Sequence, residues 1–282
     1  MQYRAKALLL AATLAYTSLA SGGNYPLPAN ELKITFNNHQ PALYTQKQLT
    51  EDWHNVIWDG TQNRARVLRD PQNPRNHVLR VKYPANVVGP WHSGSQFFAQ
   101  LPSHDEYWLT YRVRFQQGFD FKKGGKLPGL GSGDGRYAGG RKPYNGDGWT
   151  ARLMWKEDGT LIPYLYYVGM PKTSRFGHHW PINANIRRGQ WHEVTQRVRV
   201  NTPGRRNGLY EIWMDGRLMT RKHDMIWRSG NKAPVDAFFF STFHGGAGYD
   251  WAPRWNSYID FDDITISRHM PLRIRRALMA MR

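Results

Sequence analysis

The 282-residue chain contains no cysteine. It therefore has no disulfide framework, no thiolate nucleophile and no cysteine-ligated metal. Acidic residues are few, with 21 Asp and Glu against 39 Lys and Arg, and the formal net charge is +18 at pH 7. A positive charge of this size attracts polyanions and makes their binding dependent on salt. Charge alone leaves nucleic acids, anionic glycans and anionic surfaces open as partners.

Several catalytic and binding motifs are also absent. The sequence has no GxGxxG after a strand, no GxxxxGKS/T phosphate loop and no GxSxG elbow. Residues 145–148 faintly resemble a calcium loop but lack the alternating carboxylates and the distal glutamate. We therefore expect no metal and no cofactor. No groove-reading helix or nucleic-acid-binding signature is present, so we expect no nucleic-acid partner.

The main apolar run stands at the start of the chain. Residues 7–16 are apolar, Arg4 and Lys6 precede them, and the small residues of 18–20 suit signal peptidase. We interpret residues 1–20 as a signal peptide and not as a core helix, which predicts a secreted or periplasmic protein. The run is too short to span a bilayer, and we expect no membrane insertion.

The remaining sequence shows the alternation of short β-strands. Apolar side chains recur at every second position in 107–115 and 258–266, and Asp215-Gly216 predicts a tight turn between two strands. No amphipathic helix is expected before residue 270. This pattern predicts an all-β fold, a jelly-roll β-sandwich with a concave substrate groove, as one domain over 24–268. We expect a monomer with a basic C-terminal tail over 269–282, either a short helix or disordered.

Residues 148–167 predict a hairpin with unusual polar side chains. A three-residue loop over 157–159 sets a register in which Arg152 faces Tyr164 and Thr150 faces Tyr166. Because side chains alternate between the two faces of a strand, these four residues share one face. One cation, one hydroxyl and two phenols on one sheet surface indicate a site and not a packing pattern.

This set of groups suits β-elimination in a uronate polymer. In that reaction H5 leaves from the carbon beside the carboxylate, and the bond from C4 to the glycosidic oxygen breaks. Arg152 or Lys126 beside the carboxylate offsets the second negative charge that develops, and a neutral donor such as Gln96 helps. A base must take H5 and an acid must protonate O4. Tyrosine or a partly desolvated Lys126 can do either, and the sequence leaves the assignment open.

Several segments resemble polysaccharide lyase family 14, which includes alginate and glucuronan lyases. They are GKLPGL at 125–130, GWTARLMW at 148–155, YLY at 164–166, STFHGG at 241–246, DWAP at 250–253 and FDD at 261–263. The resemblance implies a β-jelly roll that cleaves polyuronates by elimination. It places the family's essential lysine at Lys126, its sheet arginine at Arg152 and its paired tyrosines at Tyr164 and Tyr166. Thr150 stands where the resemblance leads us to expect a serine.

The expected substrate contacts surround these four residues. Gln96 and Thr150 are candidates on strands, and His244 either lines the groove or is structural. The glycine-rich stretch 129–148 either borders the groove or is a mobile surface loop, and it carries Arg136 and Arg141.

Three functional classes remain from the sequence. The favoured one is a lyase that acts on an acidic polysaccharide such as alginate or glucuronan. The second is a non-catalytic binding module with the same basic groove. The third is a sandwich-fold glycoside hydrolase, which would depend on a pair of carboxylates such as Asp260 and Asp262.

Overall fold

Two antiparallel β-sheets pack face to face in the computed structural model, which describes residues 31–280. The expected signal peptide at 1–20 lies outside the described residues. In chain order the strands are β1 (Glu31–Ile34), β2 (Ala42–Leu43), β3 (Val56–Asp59), β4 (Ala65–Asp70), β5 (Asn73–Tyr83), β6 (Ser95–His104), β7 (Glu106–Phe115), β8 (Gly125–Ser132), β9 (Trp149–Trp155), β10 (Leu161–Tyr166), β11 (His192–Arg199), β12 (Gly208–Met214), β13 (Arg217–Met225), β14 (Val235–His244) and β15 (Ser257–Ser267).

The two sheets differ in size. The large sheet has nine strands in the order β13-β12-β11-β7-β15-β5-β4-β2, with β1 also paired to β15. The small sheet has six strands in the order β10-β9-β8-β14-β6-β3. These two layers confirm the predicted all-β sandwich of jelly-roll type.

The hydrophobic core fills the space between the sheets. Because side chains alternate along a strand, each sheet directs one set of apolar residues to the other sheet. Examples in one buried cluster are Leu109 and Val113 of the large sheet and Ala151 and Leu153 of the small sheet. The opposite face of the small sheet is then free to carry Arg152 and its polar neighbours.

The hairpin of β9 and β10 has the predicted register. Arg152 pairs with Tyr164 and Thr150 pairs with Tyr166. Gly159 has a φ of +85°, and its N–H donates to the carbonyl of Lys156 at 3.0 Å. Glycine adopts this left-handed conformation without steric cost, which fixes the turn and hence the register.

Two helices flank the sheets, and one of them was not predicted. The helix α1 (Gln46–Trp53) begins at a capping box in which Thr45 and Gln48 bond each other's backbone, and it buries Leu49 and Trp53. The expectation of no helix before residue 270 is therefore wrong. No helix in the described part of the chain has the length and apolar character needed to cross a membrane.

The basic C-terminal segment forms the second helix, α2 (Leu272–Ala280). Its Ile274 is fully buried against Trp108 and Trp213 of the large sheet. Of the two expected alternatives, a short helix or disorder, the structure has the short helix.

The two carboxylates on which the glycoside-hydrolase hypothesis depends lie on the large sheet. Asp260 on β15 accepts hydrogen bonds from Arg80 (2.7 Å) and Arg114 (2.7 Å), and Asp262 accepts one from Asn76 at 2.6 Å. Alternation places both on the outer face of the large sheet, because Phe261 between them points into the core. They do not share a groove with Arg152, so the carboxylate-pair hypothesis is not supported.

Candidate active site

The candidate site lies on the face of the small sheet that is turned away from the core. Lys126 of β8 is paired with Met154 of β9 and with Phe243 of β14, and Arg152 is paired with Tyr164 of β10. The pairing of β8 with β9 shifts register between Leu127 and Leu130. Four adjacent strands thus bring side chains from distant parts of the sequence to one place.

Lys126 is a buried cation without an anionic partner. Its side chain is enclosed, with the residue only 6 % exposed, and its Nζ lies 4.2 Å from the centroid of the Tyr164 ring. Among residues 31–280 it forms no ion pair. Burial, and then the charges of Arg152 and Lys156, hold the pKa of Lys126 well below its usual value. A lysine with a lowered pKa loses its proton more readily, and the neutral amine can act as a base.

Arg152 is the second buried cation, at 2 % exposed. One of its terminal nitrogens donates to the Ser241 hydroxyl at 3.0 Å, and that hydroxyl donates to the Gln96 Oε1 at 3.0 Å. Its Nε has no hydrogen-bond partner among the described residues. Burial lowers the pKa of Arg152, yet a guanidinium remains charged at any physiological pH. The charge of this buried guanidinium is therefore not neutralised by a protein carboxylate within residues 31–280.

The two tyrosines are coupled but unequally accessible. Their hydroxyls lie 3.3 Å apart. Tyr164 is half-buried, whereas Tyr166 is 0 % exposed and its hydroxyl accepts the Gly140 N–H at 2.9 Å. Burial, followed by the neighbouring Tyr166, raises the pKa of Tyr164, so this phenol stays protonated. Of the pair, Tyr164 is the one that a ligand can reach.

The loop 133–148 covers one side of the site, as one of the two sequence interpretations predicts. The Thr150 hydroxyl donates to the Tyr137 carbonyl at 2.6 Å, and the bond from Gly140 to Tyr166 fastens the loop a second time. The Thr150 hydroxyl is therefore engaged in holding the loop, and the residue is fully buried. We expected Thr150 to contact substrate, and its contacts give it a structural role instead.

The two arginines of this loop differ in their contacts. Arg136 is exposed and its Nε donates to Asp134 of the same loop at 2.8 Å, which satisfies its charge locally. Arg141 is exposed and forms no ion pair within residues 31–280. Of these two arginines, Arg141 is the one whose charge remains available to a polyanion.

The sequence left two roles open for His244, lining the groove or supporting the structure, and its contacts are those of a structural residue. Its Nε2 lies 2.7 Å from the Asp120 carbonyl, and its ring packs among Tyr83, Phe119 and Trp155. Burial lowers the pKa of His244 to about 4, so it is neutral at physiological pH. It is fully buried and supports the end of β14 from within the core.

Sequence reasoning missed the role of Ser241. The residue stands inside the STFHGG segment, and pairing of Ser241 with Gln96 across β14 and β6 makes it the link between Gln96 and Arg152. Alternation along the predicted strand 238–243 could have placed Ser241 on the site face. Within residues 31–280 no group of three His, Cys, Asp or Glu side chains is arranged to hold a metal ion.

Comparison with known proteins decides the family. The Polysaccharide lyase 14 family model matches residues 71–264. The chain belongs to the polysaccharide lyase 14 family. The segments that resemble this family in the sequence include both buried cations and both tyrosines of the site.

Solved structures of lyases share the fold. The alginate lyase Aly36B is 26% identical, with a TM-score of 0.73 over 85% of this chain and 97% of that chain. A double mutant of Aly36B in complex with an alginate trisaccharide is 25% identical, with a TM-score of 0.74 over 86% of this chain and 99% of that chain. The endo-β-1,4-glucuronan lyase of the fungus Trichoderma reesei has the same fold at 14% identity, with a TM-score of 0.53 over 76% of this chain and 91% of that chain.

One curated relative is a larger protein. Exolysin of Paramecium bursaria Chlorella virus 1 is 25% identical over 196 residues. The match covers 59% of this lyase-family chain and 30% of the viral protein. This chain therefore matches about a third of the length of that relative.

Proposed function

We propose that this protein is a polysaccharide lyase that cleaves an acidic polyuronate, alginate or glucuronan, by β-elimination. The observation that carries the proposal is the pair of buried basic side chains, Lys126 and Arg152, which have no carboxylate partner in the described part of the chain. Burying a charge without a partner lowers the stability of the fold, so such a group is expected where it serves a function. A uronate carboxylate supplies the missing negative charge. The alginate oligosaccharide bound to a mutant of Aly36B supports this substrate class.

Arg152 is the group that meets the carboxylate. Its unpartnered Nε faces no protein acceptor, and its other bond leads through Ser241 to Gln96. Removal of H5 places extra negative charge on the carboxylate, and a fixed guanidinium in a dry site stabilises that charge. The chain from Gln96 to Ser241 keeps the guanidinium in place before substrate binds.

Lys126 is the proposed base and Tyr164 the proposed acid. The lowered pKa of Lys126 favours a neutral amine that accepts H5, and the raised pKa of Tyr164 favours a phenol that still holds its proton. The C5–H5 electron pair forms the C4=C5 double bond, the C4–O4 bond breaks, and O4 takes the phenol proton. The new ammonium then returns a proton to the phenolate beside it. Atoms and charges balance without a further reactant.

Both groups approach the sugar from the same face of the sheet. Lys126 and Tyr164 are neighbours with 4.2 Å between the amine and the ring centroid. Such a pair serves substrates in which H5 and O4 lie on the same side of the sugar ring. Mannuronate and glucuronate have this arrangement, whereas guluronate has them on opposite sides. We therefore propose that mannuronate or glucuronate polymers are cut in preference to polyguluronate.

The place of action is part of the proposal. The charged start, apolar run and small residues of 1–20 support export to the periplasm or the medium. A protein of this charge would meet anionic polymers there, and binding that weakens as salt rises is expected.

The test is ultraviolet absorbance during incubation with polymers of mannuronate, guluronate and glucuronate. A lyase generates a double bond conjugated to the carboxylate, so absorbance rises on at least one polymer, fastest on mannuronate or glucuronate. A non-catalytic module would bind the polymer without any rise. A hydrolase would shorten the polymer without any rise. Either result would refute the proposal.

A further inference from the structure

The loop that follows β14 lies beside Lys126 and is not used by the proposed reaction. This 245–251 loop ends in a short 3₁₀ helix, Tyr249–Trp251. The Gly245 N–H donates to the Gly124 carbonyl at 3.1 Å, and a Cβ at Gly245 would lie 2.8 Å from the Lys126 Nζ. The loop therefore begins in contact with the proposed base.

The loop presents aromatic rings to solvent. Tyr249 is 86 % exposed and Trp251 is half-exposed. The Trp251 ring packs directly on Gly246, and a Cβ at this position would lie 2.3 Å from ring atoms. The φ of Gly246 is +99°. Glycine at 246 thus serves both the backbone conformation and the close approach of the indole. Exposed aromatic rings at fixed positions are surfaces on which sugar rings stack.

An unpaired lysine stands over the same indole. Lys156 is the first residue after β9, and alternation places it on the side of Arg152 and Met154. Its Nζ lies 5.9 Å from the centroid of the Trp251 ring. Its backbone N–H donates to the Thr160 carbonyl at 2.8 Å, so the hairpin fixes where its side chain starts.

Two nearby carboxylates, Asp250 and Asp158, have other partners. Asp250 pairs with Lys123, and Asp158 accepts from the backbone N–H of Thr160 at 2.9 Å and from its hydroxyl at 2.7 Å. Within residues 31–280 Lys156 forms no ion pair. The charge of Lys156 acts on the candidate active site, because it contributes to the lowered pKa of Lys126. A half-exposed cation over an aromatic ring, next to the proposed base, is suited to a carboxylated sugar.

We propose that Lys156, Trp251 and Tyr249 form a subsite for the uronate residue next to the one that is cleaved. The proposal rests on the proposed lyase function. The carboxylate of the neighbouring sugar pairs with Lys156, and the apolar face of its ring packs on Trp251, with Tyr249 extending the platform. A polymer is then held by a second charge-pairing contact outside the residues that react, which raises its affinity without changing the chemical step.

The experiment compares Lys156→Gln and Trp251→Ala with wild type on uronate oligosaccharides of increasing length and on the polymer. Lys33→Gln is the matched control, because Lys33 is an exposed lysine on β1 of the large sheet. At a pH where the rate no longer changes with pH, each subsite variant is expected to raise KM on long substrates about tenfold with kcat unchanged within twofold. On the shortest oligosaccharide that wild type cleaves, the difference should shrink to less than twofold.

Conservative variants separate the contact from a loss of folding. Lys156→Arg and Trp251→Phe keep the charge and the ring, and they should restore KM to within threefold of wild type. If wild type makes no unsaturated product from any polyuronate, the lyase function fails and the subsite fails with it. If wild type is active but Lys156→Gln matches Lys33→Gln at every length, the subsite alone is refuted. A variant that lowers kcat equally on all lengths also overturns it.

Discussion

The Nζ of Lys126 lies 4.2 Å from the centroid of the Tyr164 ring, and both residues lie on the outward face of one six-stranded sheet. They come from strands 38 positions apart in sequence and are brought together by the pairing of β8 with β9 and β9 with β10. In the proposed mechanism these two neighbours are the base and the acid, because burial lowers the pKa of Lys126 and raises that of Tyr164.

Lys126→Ala and Tyr164→Phe should each lower kcat by at least about a hundredfold, because general acid–base catalysis contributes on this order or more. The fold should be preserved, as judged by circular dichroism and thermal unfolding. Tyr258→Phe is a matched control, because Tyr258 is a half-exposed tyrosine on β15 of the large sheet. Wild-type turnover in either site variant would show that the amine or the phenol takes no part in the reaction.

Tyr166→Phe and Thr150→Val should loosen the loop 133–148. Each change removes one of the hydrogen bonds that fasten the loop, at a cost of about 1 kcal/mol in local stability. Limited proteolysis should then cut this loop faster than in wild type, and turnover should fall. Thr150→Ser keeps the hydroxyl and serves as the control, with wild-type proteolysis expected. Unchanged cleavage of the loop in Thr150→Val would contradict the anchoring role.

Lys126→Met should stabilise the protein while abolishing its activity. Replacing an unpaired buried cation with an apolar side chain removes a desolvation penalty. A gain of about 1 kcal/mol corresponds to a rise in Tm of about 2–4 °C for a domain of this size. The pKa of Lys126 is lower in the folded chain than the 10.5 of an unperturbed lysine, which applies to the unfolded chain. The unfolded state therefore binds more protons between these two values, and the wild type gains stability as pH rises through that window.

The advantage of Lys126→Met should accordingly be greatest below the lowered pKa and shrink as pH rises toward 10.5. Differential scanning calorimetry at several pH values measures both effects. Lys33→Met, at an exposed position, is the control and should change stability by no more than about 0.5 kcal/mol. A fall in Tm for Lys126→Met at neutral pH would show that the lysine is stabilising, against this account.

Lys156→Gln should move the acidic limb of the pH–rate profile toward higher pH. Burial is the main cause of the low pKa of Lys126, and the charges of Arg152 and then Lys156 lower it further. Without the charge of residue 156 the pKa of Lys126 rises, so the amine is protonated and inactive up to a higher pH. The shift should be larger at low salt, because salt screens the interaction. An acidic limb that coincides with that of Lys33→Gln would exclude this coupling.

The sequence was sufficient to predict the register of the β9–β10 hairpin, because strand alternation and a glycine turn determine the register locally. It was also sufficient for the strand pair at Asp215-Gly216, where both residues have positive φ. The helix α1 was missed although the capping-box pattern of Thr45 and Gln48 is visible in the sequence. Its eight residues are too few for periodicity to stand out.

The roles of individual site residues depended on contacts that a sequence does not contain. Thr150 was expected to touch substrate, but its hydroxyl donates to the carbonyl of Tyr137, thirteen residues earlier in the chain. From the sequence His244 either lines the groove or is structural, and only the packing of three aromatic rings around it decides between them. The burial of Arg152 and its link to Ser241 likewise arise from tertiary packing of strands far apart in the chain.

Mass spectrometry of the products formed in water labelled with heavy oxygen tests the central claim most directly. Elimination breaks the C4–O4 bond without adding water, so the masses of two complementary fragments should sum to that of the parent oligosaccharide. One fragment should carry an unsaturated uronate, and neither should contain heavy oxygen from the cleavage step. Fragments that together exceed the parent by one water, with heavy oxygen incorporated, would show hydrolysis and would contradict the lyase mechanism.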